Sequence, residues 1–342
     1  MKTLSIEVEL KKLPDIPGLV FRGFRGEEDY PGMLAAYLAA MKADGVEASD
    51  TLEQLAYNYN HLVRCDPYTD MLIAELDGEI IAYGRTGWNA ELNNNHIYYF
   101  FVHLKPEWRG TGVGIYMAEW LINRAKEIAR DHPADAPKYL QVWSSDRQKW
   151  QSRMSEDLGM KPVRYGSEMT RLCSEPVEVH PLPDGIEVRP ITPDLMRAVW
   201  EAEAEAEAEA FRDHWGYVEP TEENYQAWLN WPLQSPELWK VAFDGDQVVG
   251  MVRNFINHEE NREYKRKRGY TEDISVRRPW RRKGIARALL TDSIQMFIEM
   301  GMEETCLGVD TENPNGALAL YTGVGYQKIH TGITYRKPME KL

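Results

Sequence analysis

Cysteine, long apolar runs and surplus positive charge are all scarce in this chain of 342 residues, and each shortage excludes something. Cys65, Cys173 and Cys306 are too few and too widely spaced for a disulfide framework, and no CxxC or paired Cys/His spacing suggests a zinc site. No metal is therefore expected, and Cys306, inside the run TCLGV, reads as a small buried hydrophobe rather than a reactive thiol. The opening MKTLSIEVELKK is charged and interrupted, and no stretch of 18 apolar residues follows, so neither export nor membrane spanning is expected. The expected compartment is the cytoplasm. A net charge of −14 argues against nucleic acid and against a protein spread on anionic lipid, and it favours cationic partners, amines among them. What is present can fold: an apolar share of 43% with 11 Trp and 18 Tyr excludes a disordered chain. The length exceeds one usual core, which predicts two domains of about 150 to 170 residues.

The most informative stretch is TEDISVRRPWRRKGIARALL, Thr271 to Leu290. A strand-like run breaks at Arg278-Pro279, passes through a basic turn and opens into an apolar-striped helix. That order gathers main-chain N–H groups and the positive end of a helix dipole at one spot, which suits a pyrophosphate. Gly284 and the small Ala286 keep side chains away from the approaching anion. The order Lys283-Gly284-Ile285 is wrong for a Walker loop, and the turn comes too late in its unit for a dinucleotide fingerprint.

The same pattern occurs twice. HLKPEWRGTGVG, residues 103–114, aligns with SVRRPWRRKGIA, residues 275–286, so that Trp108, Arg109, Gly112 and Gly114 match Trp280, Arg281, Gly284 and Ala286 at one spacing of 172 (281 − 109). A fixed spacing means two copies of one unit.

Strand, Arg-x-x-Gly-x-Gly/Ala turn and helix resemble the acetyl-CoA-binding motif of the GNAT (GCN5-related N-acetyltransferase) family, and two units in tandem resemble its mycothiol synthase type. The resemblance covers nearly the whole chain as two copies and is strongest from Leu238 to Pro338. It implies an α/β fold of two tandem GNAT (acyl-CoA N-acyltransferase) domains, each a mixed, mostly antiparallel sheet flanked by helices. The expected bounds are 1–174 and 186–342, joined by a proline-rich linker at 175–185. The cofactor implied is acetyl-CoA. Its pantetheine arm would pair with Ile274, Ser275 and Val276, and its pyrophosphate would sit on Arg281, Arg282, Lys283, Gly284, Ile285 and Ala286. Arg109, Gly110, Thr111, Gly112, Val113 and Gly114 are the first copy's equivalents.

Periodicity agrees with two such units. Asp77-Gly78 and Asp244-Gly245 each sit between two strand-like runs and predict hairpins. Thr51 with Gln54 forms a capping-box pattern, and Thr221 with Asn224 a poorer one. The predicted order in each half is β-α-α-β-β-β-α-β-α-β, a mixed sheet. The run EAEAEAEAEA, Glu201 to Ala210, reads most simply as a solvated helix face; the functional alternative is an acidic rim gathering a cationic acceptor. Lys265 to Arg268 reads as a solvated basic loop or a partner for the cofactor's 3′-phosphate.

Acetyl transfer to an amine needs the thioester held still, the amine neutral and a proton for the leaving thiolate. An aliphatic amine has a pKa near 10, so an acid must sit nearby, directly or through water. Glu272 and Asp273 are the candidate bases; strand alternation sends them to opposite faces, and the sequence does not choose between them. By resemblance, Tyr321 in ALALYTGVGY is the acid toward the CoA sulfur, and Asn313 contacts the cofactor arm. Asp213 and His214 lie where the family shapes its acceptor pocket. Aligning Gly159 with Gly325 puts Ser155 opposite Tyr321 and Arg147 opposite Asn313, while Phe100 and Phe101 stand opposite Glu272 and Asp273. The first copy keeps the anion turn but lacks the proton-handling groups, so the second is expected to catalyse.

The leading expectation is acetyl transfer from acetyl-CoA to a primary amine of a small molecule by direct attack in a ternary complex. Acetylation of a protein, peptide or antibiotic amine, and a CoA-binding regulatory module without turnover, are the alternatives. A homo-oligomer is left open.

Overall fold

Asp77 and Gly78 both take positive φ, 49° and 87°, and close a two-residue turn between antiparallel strands. Such a turn matches the twist of the strands it joins. Gly245, at φ 57°, serves the corresponding hairpin. Around these hairpins the computed structural model describes residues 13–91, 93–211, 219–312 and 316–339, the side chains of 210 and 211 aside.

In chain order the first half contains β1 (Leu19–Arg22), α1 (Tyr30–Asp44), α2 (Leu52–Asn60), α3 (Pro67–Asp70), β2 (Met71–Leu76), β3 (Glu79–Ala90), β4 (His96–Leu104), α4 (Val113–Ala129), β5 (Lys138–Ser145), α5 (Lys149–Asp157) and β6 (Lys161–Leu172). The second contains β7 (Ile186–Arg189), α6 (Met196–Phe211), α7 (Glu222–Leu229), β8 (Lys240–Asp244), β9 (Gln247–Phe255), α8 (His258–Glu263), β10 (Arg268–Val276), α9 (Ile285–Glu299), β11 (Glu304–Asp310), α10 (Ala317–Gly323) and β12 (Gln327–Pro338). Apart from the short α3 and α8, this is the order read from periodicity. Both capping boxes form, including the one closed by Asn224.

Two compact units result, and neither is one continuous segment. The first comprises the described residues of 1–90, 94–163 and 333–342. Its strands run β1-β2-β3-β4-β5 and then the end of β12; all pairs from β1 to β4 are antiparallel and β4 with β5 is parallel. Its core lies where Met117, Leu121 and Ala125 of α4 meet Tyr98, Phe100 and Val102 of β4. Leu121 is fully buried, so truncation to alanine would cost about 2–5 kcal/mol.

The second unit is built from 164–332 with Glu91 and Asn93. Its order is β6-β11-β10-β9-β8-β7, again mostly antiparallel, with β10 and β11 parallel. Here α9 lays Leu290 and Ile294 against β11, while α6 packs Met196 and Val199 against β8 and β9 on the other face. β6 pairs with β11 from Gly166↔Asp310 to Leu172↔Glu304, so the last strand of the first half completes the second unit's sheet.

Candidate active site

The site of the second unit begins as an interruption of its sheet. β10 and β11 pair only at Arg268↔Glu304, Gly269↔Thr305 and Tyr270↔Cys306, and beyond that point no ladder joins them. On its other side, β10 slips register against β9 between Glu272 and Ser275. Asp273 forms this bulge at φ 50°, a left-handed conformation that aspartate tolerates better than most residues. The extra residue cancels the expected alternation: Glu272 and Asp273 both line one cleft instead of facing opposite ways. Glu272 spans the opened gap, its Oε1 accepting the Gly308 N–H at 3.1 Å.

The cleft, of about 580 Å³, runs from these acids to the start of α9. Ile274, Ser275 and Val276 form one wall, and Arg281, Arg282, Gly284, Ile285 and Ala286 line the end at the start of α9; Lys283 is not in the lining. Arg282 at φ 63° and Gly284 at φ 90° turn successive peptides inward, and no side chain caps the helix. First-turn amides are thus left for an incoming anion. A Cβ added at Gly284 or Gly316 would meet nothing within 4 Å, so both edges of this end are open. Arg281 fastens the turn to α6, donating to Val276 O at 2.8 Å and to Ala206 O at 3.1 Å.

At the other end, acids outnumber cations. Glu203 and Glu207, one helical turn apart on α6, face Asp273, and one carboxylate oxygen from each lies within 4.8 Å of the others. Arg253 is their counter-ion, 2.7 Å from Asp273 and 3.6 Å from Glu203. Burial, then the Asp273 charge, holds the Glu203 carboxyl well above its ordinary range against the pull of Arg253. Glu207 reaches the exposed mouth, yet loss of surrounding water and Asp273 push it to about 7. Glu272 is pushed up to about 8, first by dehydration and then by Asp273, with the Gly308 hydrogen bond opposing. Tyr321, on α10 and 6% exposed, lines the same cleft; burial and then the charges of Glu272 and Asp273 raise its hydroxyl, so it keeps its proton. A raised carboxyl and a protonated phenol in one cleft are a matched proton acceptor and donor.

The first unit repeats the turn and closes it. Gly110 and Gly112 adopt φ 82° and 92°, the conformations of Arg282 and Gly284. A Cβ at Gly114, however, would lie 2.5 Å from Trp150 Cζ2, because that indole is packed on the helix start. Trp150 aligns with the open Gly316 when Gly159 is set on Gly325. Arg109 stands 5.3 Å over the same ring and forms two bonds to Asp44, and Arg147 donates to Gly45 O. Ser155 is fully buried and donates to Gln151 O, and Phe100 is core.

Of the residues singled out from the sequence, Glu272, Asp273, Tyr321, Ile274, Ser275, Val276, Arg281, Arg282, Gly284, Ile285 and Ala286 line this one cleft, whereas alternation predicts that only one of the two acids faces it. Asn313, Asp213 and His214 lie outside the described residues. Sequence reasoning offered the Glu-Ala run as an acidic rim without singling out Glu203 and Glu207, since the alternation puts acid on two opposite helix faces and does not say which one faces the cleft. The run is not simply a solvated face: Glu203 is 8% exposed. Nor is Lys265 to Arg268 a solvated loop throughout, because Arg268 is buried against Glu304 at 2.7 Å and Arg266 pairs with Glu260. Cys306 is buried, as expected, and burial pushes its thiol far up.

A bulged, splayed sheet with an uncapped helix start at one end of a cleft and proton-handling groups at the other defines a group-transfer enzyme. The family model of the acetyltransferase (GNAT) family matches residues 34–147 and again 200–326. The chain belongs to that family, as an N-acetyltransferase of two tandem GNAT units, and the family in general uses acetyl-CoA. A mycothiol acetyltransferase of Thermobispora bispora is 22% identical over 98% of this chain and 100% of its own. An N-alpha-acetyltransferase MAK3 of Arabidopsis thaliana is 36% identical over 92 residues, and the match spans 27% of this chain and 45% of that protein. Among solved structures, a GCN5-related N-acetyltransferase from Sphaerobacter thermophilus superposes with TM-score 0.68 at 25% identity, over 94% of this chain and 96% of that one. A tandem GNAT protein from the clavulanic acid biosynthesis pathway shares the fold, with TM-score 0.63 at 13% identity over 94% and 98%. Among the described residues no helix is long and apolar enough to cross a membrane.

Proposed function

We propose that the second unit transfers the acetyl group of acetyl-CoA to a primary amine of a small molecule, by direct attack within a ternary complex, and that the first unit does not catalyse. The observation that carries this is the meeting of Glu272, Tyr321 and an open, uncapped helix start in one cleft. The cleft fits acetyl-CoA: the main-chain amides at Gly284 to Ala286 are free for the diphosphate, the edges at Gly284 and Gly316 are open, and the Ser275 hydroxyl is buried without a partner beside the strand gap where the arm would lie. When bound, acetyl-CoA supplies an activated acyl group. Glu272 takes the proton that the attacking ammonium must lose, and its raised pKa brings it closer to that of an amine. Tyr321 delivers the proton that the departing sulfur requires. Free thiols at Cys65, Cys173 and Cys306 accord with work in the cytoplasm.

The mycothiol acetyltransferases among its relatives make a mycothiol precursor one acceptor to assay, beside a panel of simple amines. Steady-state rates measured against both substrates test the reading. Intersecting double-reciprocal lines with an amine from the panel are expected. Parallel lines, or CoA release that no amine accelerates, would sink it.

A further inference from the structure

The cleft holds more acid than acetyl transfer needs. One base suffices to strip an amine, yet Glu203, Glu207 and Asp273 converge beside Glu272 with, among the described residues, only Arg253 as a counter-ion. Their neighbours on α6 are engaged elsewhere: Glu205 pairs with Arg277, and Glu209 accepts from Arg278 N–H and faces Arg281. Fully ionised, the three carboxylates would face one guanidinium with two negative charges uncompensated, or three with Glu272, so the empty cluster keeps protons in their place. Glu203 shows that the group is loosely satisfied: its side chain is nine-tenths buried in the cleft wall, and its Oε2 has no hydrogen bond, only an ion-pair contact to Arg253 at 3.6 Å. A buried carboxylate oxygen in this state gains from any donor that reaches it at hydrogen-bond distance.

We propose that the acceptor is a diamine or polyamine, whose second ammonium group is held by Glu203, Glu207 and Asp273 while the nitrogen to be acetylated faces Glu272. An ammonium brings three N–H donors to three carboxylate oxygens, a better match than a hard metal ion, which seeks six or more oxygens and would be repelled twofold by Arg253. Glu207 at the exposed mouth receives the cation first, and Glu203 holds it deeper. The raised carboxyls support this: the empty cluster stores protons that an arriving cation displaces. The proposal rests on the acetyl-transfer reading of the cleft and narrows its substrate class.

Calorimetry on the full chain separates the two. CoA is titrated first; if it does not bind, the transferase reading fails whatever the amines do. With CoA saturating, 1,4-diaminobutane is then compared with 1-aminobutane. The diamine is expected to bind about tenfold or more tightly, with proton release that changes the observed heat between buffers. Glu203→Gln with Glu207→Gln should bring the two ligands within about threefold of each other while CoA affinity is kept, which also shows that the variant folds. Glu207→Gln alone, at the surface, gives a milder loss in the same direction. Equal binding of the two amines to the unaltered protein, a diamine preference that survives both substitutions, or magnesium chloride binding more tightly than the diamine would each overturn the proposal.

Discussion

At the residue scale, the proposed reaction divides its proton work between Glu272 and Tyr321. Tyr321→Phe removes one oxygen from a largely buried ring and should lower kcat about 100-fold, with CoA affinity changed less than about twofold; stopped-assay rates and calorimetry check this. Glu272→Gln should lower kcat/KM by about 100-fold and abolish the limb of the pH–rate profile that rises near 8, where the wild-type carboxyl loses its proton. The same group makes a second prediction, on stability. Its folded pKa of about 8 lies above the ordinary 4.5, so the folded chain holds a proton that the unfolded chain releases between those values. Stability is therefore lost as pH rises through that window, and Glu272→Gln, which keeps an acceptor for Gly308 N–H, should flatten the loss by about 1 kcal/mol or more in denaturant melts. Tyr321 could be read in the sequence from its place in ALALYTGVGY. The choice between Glu272 and Asp273 could not, because alternation holds only while a strand keeps register, and the bulge at Asp273 breaks it. In the first unit, where no such slip occurs between β3 and β4, Phe100 joins the α4 core and Phe101 turns to the other side.

At the scale of elements, two turns of the same backbone have different surroundings. Gly284 and Gly112 both stand at φ near 90°, so replacing either by alanine strains the backbone by about 1 kcal/mol. Gly284→Ala should in addition weaken CoA binding about tenfold, because a methyl group then points into an open anion site, whereas Gly112→Ala should leave CoA affinity unchanged. Paired calorimetric titrations distinguish them, and equal losses in both would contradict the assignment of one working site. Trp150 is the physical cause of the difference. The turns themselves were legible, since glycine spacing dictates backbone, but the plug was not: Trp150 lies 36 positions after Gly114 (150 − 114), and only the folded chain brings its ring onto that helix start. The phase of the Glu-Ala helix was likewise hidden, since glutamate at every second position puts acid on two opposite faces of a helix and either could turn inward.

At the scale of the whole molecule, the tandem plan could be read from the spacing of 172, but the membership of the end strands could not. Nothing local marks β6 as the partner of β11. That pairing also carries Arg171, which donates to Val324 O at 2.8 Å and to Glu175 O and Pro176 O at 3.0 Å each, fastening the end of α10 and the start of the 175–185 segment. A fragment cut at residue 180 therefore loses both the strand and the clasp, and exposes a bare sheet edge on β11. It is predicted to be several kcal/mol less stable than a fragment that begins at residue 160, or to aggregate, as read by denaturant melts and light scattering. Similar stability of the two fragments would show that the clasp contributes little.

Most direct for the central claim is native mass spectrometry of the full chain titrated with CoA. One bound CoA per chain is predicted, with an apparent affinity about tenfold weaker in Gly284→Ala and unchanged in Gly112→Ala. Two bound molecules would show that Trp150 does not close the first turn, and none would show that the cleft between Glu272 and Gly284 is not a CoA site.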